Sequence, residues 1–350
     1  MTKQDIVFKQ QQDNKQVKLL SYKDMDAILS EKVGERYDRY RADWRAGMQF
    51  ERVPEFPLSI EIENLNHCNF SCHMCLFSLP KSHPDAPHKK ENKRFLDFEV
   101  YKKAIDEASA HQMPALTHGV LCETLLHPRM MDMIAYAQDR GVVDQRLGSN
   151  GALLTKEVSE RLVDLGLARL EISLDGFNEE TFNMVRFGKG ADYHQIVANI
   201  RDFLEIRERK NSRFPLLRLS FLKLNVNADQ VEAFLDYWRD YADYFSIQEP
   251  VNYKLDLKKT SLVFDTPHEK PNFRCDKQHN RIFMRHDGTL LPCFHVHGWQ
   301  EFALGNVKDS TIKEAWDSPK MQYLRALHKK GEYHKNKICH NCVMCTGQEA

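Results

Sequence analysis

Short apolar or alternating runs recur along the middle of the chain, and a longer stretch with helical periodicity follows most of them. The runs are LSIEIEN (58–64), ALTHGV (115–120), QRLGS (145–149), RLEISL (169–174), LLRLSF (216–221) and YFSIQE (244–249). The helical stretches cover about 98–110, 129–140, 156–165, 179–186, 192–209 and 228–240. This alternation predicts six βα units around a parallel sheet, an α/β fold that forms a partial or full barrel. Functional groups of such a barrel lie at the carboxyl ends of its strands.

The segments on either side of the six units have other patterns. Residues 1 to about 20 are rich in Gln and Lys and are expected to be loosely ordered. Tyr37, Tyr40 and Trp44 fall at i, i+3 and i+7, which predicts a helix whose aromatic face packs against the main domain. Beyond about residue 262 the composition shifts to Cys, His and Gly. We therefore expect an N-terminal polar and helical extension (1–57), a core barrel (58–261) and a small cysteine-rich C-terminal domain (262–350).

One long segment inside the predicted barrel has no periodicity. It runs from Leu76 to Arg94 and is rich in Pro and Lys, which indicates a surface loop. A lid over a site and a solvated insertion are the two interpretations of this loop.

Composition excludes several classes of protein. Lys and Arg total 50 and Asp and Glu total 50, so there is no basic excess for extensive nucleic-acid binding. No apolar stretch approaches the ~20 residues of a membrane span, and the polar N-terminus lacks the apolar core of a signal peptide. These features predict a cytoplasmic protein without a membrane segment. Nine cysteines in that compartment are better candidates for metal ligands than for disulfides.

Three of these cysteines form a tight motif directly after the first predicted strand. Cys68, Cys72 and Cys75 are spaced C-x3-C-x2-C in NHCNFSCHMC. A 4Fe-4S cluster normally takes four thiolates, so three ligands in one loop imply a distant or a non-protein fourth ligand. The spacing favours such a cluster, with one iron open to a substrate or cofactor. A zinc site and a set of buried structural thiols remain as alternatives.

The triplet resembles the signature of the radical S-adenosylmethionine (SAM) enzymes, in which the amine and carboxylate of SAM chelate the open iron. Segments in the order that this family shows follow at later strand ends. After the second strand, Cys122-Glu123-Thr124-Leu125-Leu126-His127-Pro128 resembles the family's Gly-Glu-Pro segment, with Cys122 and Thr124 in place of Gly and Pro. The resemblance implies that Glu123 accepts a hydrogen bond from the SAM amino group.

The remaining strand ends supply further residues that the resemblance places at SAM. Ser149 and Asn150 match a ribose-contacting turn, although Ser-Asn-Gly is also an ordinary turn. Ser173 and Asp175 match the fourth-strand motif, and a helix cap or turn is the competing interpretation of Asp175. Arg186 matches an Arg that holds the SAM carboxylate, with a solvated Arg as the alternative. Met74 lies where the family places an apolar residue against adenine, and core packing is its alternative.

The C-terminal region carries a second cysteine pattern. Cys275 and Cys293 are separated from a C-x2-C-x2-C knuckle formed by Cys339, Cys342 and Cys345. Such a set suits an auxiliary cluster, and a zinc ion held with His334 or His340 is the alternative. The pattern resembles the SPASM and twitch domains of some radical SAM enzymes, including RHDGTLLPC and LGNVKDSTIKEAW. That resemblance implies a second 4Fe-4S cluster on the first four of these cysteines, with Cys345 as a spare or alternative ligand.

The resemblance as a whole implies a partial (β/α)6 TIM-like barrel with a small C-terminal iron-sulfur domain. It also implies that SAM is cleaved reductively to a 5'-deoxyadenosyl radical, which abstracts a substrate hydrogen, with electrons from a flavodoxin- or ferredoxin-type donor. Oxidation, epimerisation and rearrangement are the candidate outcomes, and the Cys122 thiol is a candidate hydrogen donor, although a lone Cys is more often inert.

The class of substrate follows from the residues only in outline. The first 57 residues do not resemble a leader-peptide-binding domain, which favours a small molecule such as a sugar, an amino sugar or a nucleotide-linked compound. A peptide- or protein-modifying maturase is the second hypothesis. A non-enzymatic iron-sulfur electron carrier or a zinc-stabilised binding module is the third.

Overall fold

Eleven strands form one sheet in the computed structural model. The structure describes residues 11–13, 17–21, 23–75, 78, 92–248, 273–296 and 300–344. The strands are β1 (Gln11–Asp13), β2 (Val17–Ser21), β3 (Ser59–Ile62), β4 (Ala115–His118), β5 (Asp144–Ser149), β6 (Arg169–Ser173), β7 (Leu216–Leu222), β8 (Tyr244–Gln248), β9 (Arg281–Met284), β10 (Thr289–Leu291) and β11 (Gly305–Asn306).

Twelve helices lie in the described residues, and α3 to α8 join the strands of the central part of this sheet. They are α1 (Met25–Val33), α2 (Glu35–Met48), α3 (Phe98–Ala110), α4 (Met130–Asp139), α5 (Lys156–Asp164), α6 (Glu179–Val185), α7 (Tyr193–Arg209), α8 (Val231–Trp238), α9 (Lys277–Asn280), α10 (Ile312–Trp316), α11 (Pro319–Lys329) and α12 (Lys337–Met344). None of the helices in the described ranges is long and apolar enough to cross a membrane.

The order of strands confirms the predicted α/β barrel and extends it at both edges. Strands β3 to β8 are parallel neighbours in chain order and correspond to the six predicted strands. At one edge, β2 pairs antiparallel with β8, so the expectation of loose order is wrong for Val17–Ser21. At the other edge, β9 pairs in parallel with β3. The C-terminal region therefore continues the sheet, while the predicted boundary at 262 lies outside the described residues.

Alternation along the strands separates an apolar outer face from a polar inner face. Ile60, Ile62, Leu170 and Ile172 are fully buried in the main core with the surrounding helices. Burial of each such side chain contributes about 1.5–3 kcal/mol. Side chains at the intervening positions point the other way, because successive strand residues face opposite sides. The inner face is strongly polar, which is unusual for a barrel that is filled only for stability.

Capping side chains fix where the outer helices begin. The Asp97 carboxylate accepts hydrogen bonds from the amides of Glu99 and Val100 at the start of α3. Thr155 and Asp192 cap α5 and α7 in the same manner. Each cap satisfies amides that have no partner inside the helix and contributes about 1 kcal/mol.

The N-terminal helices close the amino end of the barrel. Tyr37, Tyr40 and Trp44 on α2 are buried against residues at the starts of the strands, which confirms the predicted aromatic face. The Tyr37 hydroxyl donates to Asp26 at 2.8 Å and accepts from Arg169 at 2.9 Å. The open end of the barrel is therefore the carboxyl end of the strands.

The C-terminal region is joined to the barrel through buried polar contacts as well as through β9. His286 Nδ1 lies 2.7 Å from the Glu63 carboxylate, and both side chains are fully buried. Trp316 Nε1 donates to the Pro54 carbonyl at 2.9 Å. The turn between β9 and β10 uses Gly288 at φ +89°, where a Cβ would lie 2.8 Å from Asn306 Oδ1. Only glycine adopts this conformation without strain in so little space.

Candidate active site

The cysteine loop follows β3 and is held in place by the segment after α6. The Ser71 amide donates to the Phe187 carbonyl at 2.7 Å, and the Lys189 amide donates to the Asn69 carbonyl at 2.9 Å. Between them lies Gly188 at φ +132°, where an added Cβ would meet Phe70 Cα at 2.6 Å. This close backbone approach requires glycine and places the cysteine loop beside Arg186.

The three thiols of the triplet face one cavity and are shielded from bulk water. Cys72 is buried, and Cys68 and Cys75 are half-buried. Burial raises the pKa of Cys68 to about 12, and the charges of Glu123, Cys75 and Cys72 add to that rise. Clustered thiols that resist ionisation need a cation to stabilise their thiolate form. The donor set therefore fits an iron-sulfur cluster.

The cysteines do not define a site for a single ion. In the described part of the chain, no three His, Cys, Asp or Glu side chains are placed to hold one metal ion. A 4Fe-4S cluster asks for a different arrangement, because each thiolate binds its own iron.

Arg186 is a fixed cation on the cavity wall. Its Nε and Nη2 donate to Asp175 Oδ2 at 2.8 and 2.6 Å, and its side chain is 12% exposed. Burial lowers the pKa of Arg186, but the charges of Asp175 and Cys72 outweigh burial and raise it overall. The other oxygen of Asp175 accepts the Leu222 amide at 2.7 Å. Asp175 therefore lies behind Arg186 and orients it.

Glu123 is tied to the turn after β5. Its carboxylate accepts from Ser149 Oγ at 2.9 Å, from the Asn150 amide at 2.7 Å and from the Leu125 amide at 3.1 Å. Burial raises the pKa of Glu123 against the lowering effect of these hydrogen bonds. Three of the four sites at which a carboxylate can accept a hydrogen bond are thus used within the chain, so one is left for a ligand in the cavity.

The two departures from the Gly-Glu-Pro pattern occupy different surroundings. Thr124 is fully buried against Gly119, where an added Cβ would lie only 1.6 Å from Thr124 Oγ1. Cys122 faces the cavity. Burial raises the pKa of the Cys122 thiol strongly, and the charge of Glu63 adds to this effect.

A cavity of about 440 Å³ gathers most of the predicted site residues. Its walls include Cys68, Cys72, Met74, Cys75, Cys122, Glu123, Ser149, Asn150, Ser173 and Arg186. Among the residues predicted to bind SAM or its cluster, Asp175 is the exception, because it contacts the site only through Arg186. The structure thus brings together residues from four strand ends and from the end of α6, while their individual roles stay predictions.

Sequence reasoning missed the deeper wall of the same cavity. This wall carries Glu61, Arg146, Glu171, Arg218, Lys277 and Arg281. Most of these positions alternate with apolar residues within a strand, as in RLEIS of β6 and LLRLS of β7. The available signal was the alternation of charged and apolar residues along these strands. Such alternation indicates a strand with one apolar and one charged face, and here the charged face lines the cavity.

The C-terminal cysteines form a second group. The charges of Cys293, Cys275 and Cys342 add to burial in raising the pKa of Cys339, which indicates that these four thiols are neighbours. His334 is exposed, and Cys345 lies outside the described residues. Sequence reasoning missed His328, whose Nδ1 accepts the Cys275 amide at 3.3 Å and whose Nε2 lies 3.4 Å from Cys339 Sγ. Since Nδ1 accepts, the Nε2 proton is available to bond the Cys339 sulfur.

Two protein-family models match the chain along these two groups. The model described as the radical SAM superfamily matches residues 63–237, which is half of the chain. The model described as the SPASM iron-sulfur cluster-binding domain matches residues 275–343. The chain therefore belongs to the radical SAM superfamily and carries a C-terminal SPASM domain. Its cofactors are a SAM-binding 4Fe-4S cluster, SAM and an auxiliary cluster site, as the sequence predicted.

Relatives in the superfamily have diverse names. The chain is 23% identical over 328 residues to a tungsten-containing aldehyde ferredoxin oxidoreductase cofactor-modifying protein of Pyrococcus furiosus, covering 83% of this chain and 87% of the relative. It is 25% identical over 231 residues to a probable GTP 3',8-cyclase of Methanocaldococcus jannaschii, covering 65% and 70%. It is 26% identical over 193 residues to dTDP-4-amino-4,6-dideoxy-D-glucose ammonia-lyase of Streptomyces venezuelae, covering 55% and 38%.

Solved structures share the fold at low identity. SuiB of Streptococcus suis bound to precursor peptide SuiA superimposes with a TM-score of 0.63 at 13% identity, over 89% of this chain and 80% of SuiB. BtrN in complex with AdoMet and 2-DOIA superimposes with a TM-score of 0.54 at 18% identity, over 81% and 92%. These structures confirm the partial barrel and its C-terminal domain.

Proposed function

We propose that this radical SAM enzyme abstracts a hydrogen atom from a small molecule, such as a sugar, an amino sugar or a nucleotide-linked compound. The carrying observation is the single cavity of about 440 Å³ that runs from the cysteine triplet to the charged inner wall of the barrel. That volume is within the range of small-molecule sites. The names of two relatives, a GTP cyclase and a dTDP-amino-sugar lyase, supply independent support.

The proposal assigns the upper wall of the cavity to the cofactors. Cys68, Cys72 and Cys75 hold the cluster, which together with SAM supplies one-electron chemistry when bound. Arg186, oriented by Asp175, receives the SAM carboxylate, and the remaining acceptor site of Glu123 receives the SAM ammonium group. Ser149 and Asn150 orient Glu123 and line the ribose side, with Ser173 beside them and Met74 against the adenine. Electrons come from a flavodoxin- or ferredoxin-type donor.

The auxiliary site is assigned to the SPASM residues. Cys275, Cys293, Cys339 and Cys342 hold the auxiliary cluster, and Cys345 is an alternative ligand. His328 donates a hydrogen bond to Cys339, and such bonds to cluster sulfurs raise a reduction potential. Burial lowers the pKa of His328 to about 4, so the ring is neutral at physiological pH.

Production of 5'-deoxyadenosine tests the enzymatic class. Anaerobically reconstituted protein with reductant and SAM should yield this product, and Cys72→Ala should abolish it because the cluster loses a ligand. Ser71→Ala is the matched control, since Ser71 is exposed in the same loop and its backbone contact with Phe187 is retained. Absence of the product from wild-type protein with full iron content and candidate substrates would favour an electron carrier or a binding module.

A second experiment separates small-molecule from peptide substrates. The proposal predicts that a modified product forms in reactions that contain phosphorylated sugars or nucleotides and no peptide. Turnover of peptides alone would overturn it in favour of a peptide-modifying maturase. The SuiB structure, which contains a bound precursor peptide, is the reason for testing this alternative. Oxidation, epimerisation and rearrangement are distinguished by the mass and stereochemistry of that product.

Cys122 is the proposed hydrogen donor if the outcome is epimerisation. It faces the cavity, and its raised pKa keeps it as a thiol, the form that transfers a hydrogen atom. The transfer would leave a sulfur radical on Cys122 that the external electron donor must reduce. In deuterium oxide, the product should carry one solvent deuterium at the abstracted position. Cys122→Ala should remove that label while 5'-deoxyadenosine still forms, and an unchanged label would exclude the thiol as donor.

A further inference from the structure

We infer that the substrate carries an anionic group, a phosphate or a carboxylate, which Arg146 and Arg218 bind at the deep wall of the cavity. This inference rests on the proposed function, because it names the chemical class of the substrate in the same site. Neither the family models nor the names of the relatives assign a role to these two residues.

The first observation is that the deep wall carries basic side chains away from water. Arg218 is 7% exposed and Arg146 is half-buried, and both line the cavity. Lys277 lines the same cavity, but it belongs to the auxiliary site: burial raises the pKa of the Cys275 thiol, and the Lys277 charge opposes that rise. Removing guanidinium groups from water without enough partners is costly, so they are retained there only if something compensates for them.

The second observation is that two arginines share one carboxylate. Arg218 donates to Glu171 Oε2, and Arg146 Nε lies 3.6 Å from the same oxygen. Within the described residues, the Nε atoms of both arginines are buried and have no hydrogen-bond partner. Burial raises the pKa of Glu171, but Arg218 and Arg146 outweigh burial and lower it overall, so one negative charge faces two positive ones.

The other charged groups of the cavity have partners of their own. Arg281, the other deep arginine, lies 3.0 Å from Glu61 and 3.9 Å from Asp276. Arg186 and Glu123 are held by Asp175 and by the turn after β5. Arg146 and Arg218 therefore face the cavity with one carboxylate, Glu171, between them. An anion bound there would balance the second guanidinium, and a guanidinium fork matches the oxygens of a phosphate or a carboxylate.

The depth of these groups indicates how the substrate would lie. Arg146 and Arg218 come from the middle of β5 and β7, whereas Cys68 and Ser149 lie at the carboxyl ends of strands. An anion held at the deep wall leaves the rest of the molecule directed toward the triplet. The carbon that loses hydrogen is then separated from the charged group, as it is in a sugar phosphate or a nucleotide-linked sugar.

Binding of simple anions tests the inference without turnover. Reconstituted holoenzyme saturated with SAM is titrated calorimetrically with pyrophosphate and, separately, with citrate. Because a charge-assisted hydrogen bond is lost, Arg146→Met and Arg218→Met should each weaken anion binding about tenfold or more. Lys156→Met is the matched control, since Lys156 is 72% exposed on α5 and should leave binding unchanged. Tighter binding of pyrophosphate would indicate a phosphate group, and tighter binding of citrate would indicate a carboxylate.

Two further measurements keep the outcome unambiguous. Arg146→Met should retain full iron content and the wild-type thermal midpoint, because Glu171 keeps Arg218 as its partner; a lowered midpoint would overturn the inference by showing that Arg146 serves the fold. Equal anion affinity in wild-type and variant proteins, or no binding to any of them, would overturn it as well. The 5'-deoxyadenosine yield of the same wild-type preparation reports separately on the proposed function.

Discussion

Gly188 shows how a single residue without a functional group controls a cofactor site. Its backbone lies against Phe70, and the amides and carbonyls on either side of it bond the cysteine loop. The same segment carries Arg186 to Asp175. One glycine therefore couples the position of the cysteine triplet to that of the Arg186 cation beside it.

Gly188→Ala should reduce cluster binding by the triplet. An added Cβ would lie 2.6 Å from Phe70 Cα, so the loop has to move away from the segment after α6. Two 4Fe-4S clusters correspond to about eight irons, so loss of the triplet cluster should lower the iron content by about half. The measurement is iron analysis after anaerobic reconstitution, together with the yield of 5'-deoxyadenosine.

Gly34→Ala separates steric clash from backbone strain. Gly34 has φ +79°, and an added Cβ would meet nothing within 4 Å. With ψ −157°, this variant therefore carries the strain of a backbone region that suits almost only glycine, about 1–3 kcal/mol, without a clash. It should bind iron like the wild type. Equal iron loss in both variants would show that general destabilisation, and not the contact with Phe70, is responsible.

At the residue scale, the sequence predicted which side chains gather but not which of them face a ligand. The order of the sequence motifs predicted that Asp175 and Arg186 belong to the site. Only the fold shows that Arg186 lines the cavity while Asp175 accepts its hydrogen bonds from the side away from the cavity. The charged wall of Arg146, Glu171 and Arg218 was visible as alternation within strands. Lys277 had no such signal, because it lies on a four-residue helix whose position depends on the pairing of β9 with β3.

At the scale of elements, His118 links β4 to its neighbours. It is fully buried at the end of the strand, and its Nδ1 lies 3.3 Å from Asn64 Nδ2 while its Nε2 lies 3.2 Å from Gln145 Oε1. The Asn64 amide donates, so Nδ1 accepts and Nε2 carries the proton. Burial lowers the pKa of His118 to about 4, since a second proton would face the Asn64 amide in a dry site.

This histidine should make the fold sensitive to mild acid. In the unfolded chain this histidine takes up a proton near pH 6.5, whereas in the folded protein burial lowers the pKa of His118 to about 4. Stability is therefore unaffected above pH 6.5 and falls as the pH drops from 6.5 toward 4. At pH 5.5 the loss amounts to about 1 kcal/mol relative to pH 7.5. Denaturant unfolding of wild type and His118→Gln at both pH values measures it, because the variant lacks this contribution.

His194 offers the matched comparison for that experiment. Its side chain is 73% exposed on α7, so His194→Gln should keep the pH dependence of the wild type. If His118→Gln and the wild type lose the same stability between pH 7.5 and 5.5, His118 does not titrate as its burial indicates.

The elements themselves divide into those that local pattern predicts and those that it does not. Strands β3 to β8 and helices α3 to α8 match the predicted positions within a few residues, because their apolar periodicity is set by the core that they build. Strand β2 escaped prediction, since VKLLS is short and is surrounded by Gln and Lys. Its pairing depends on the free edge of β8, which is distant in sequence.

At the scale of the whole molecule, the barrel and the SPASM domain share one core. Ile282, Met284, Leu290 and Trp316 belong to the same buried cluster as the barrel residues. Strand β9 extends the barrel sheet at β3. The composition shift near residue 262 marks a change in chemistry, whereas the packing is continuous across the described residues on either side of it. The two parts should therefore unfold together.

Trp316→Ala tests this shared core. Trp316 is fully buried, donates to the Pro54 carbonyl at 2.9 Å and lies beneath the Arg325 guanidinium at 4.0 Å. Its truncation should cost about 3–5 kcal/mol and should shift a single denaturant transition seen by circular dichroism and by cluster absorbance alike.

Tyr323→Ala is the control in the same domain, because Tyr323 is 50% exposed and its truncation should change stability by less than about 0.5 kcal/mol. Two separated transitions in Trp316→Ala, with the helical signal of the barrel unshifted, would show that the SPASM domain folds independently. A common shift would mean that one cooperative structure holds the C-terminal cysteines and the barrel cavity in a fixed relation.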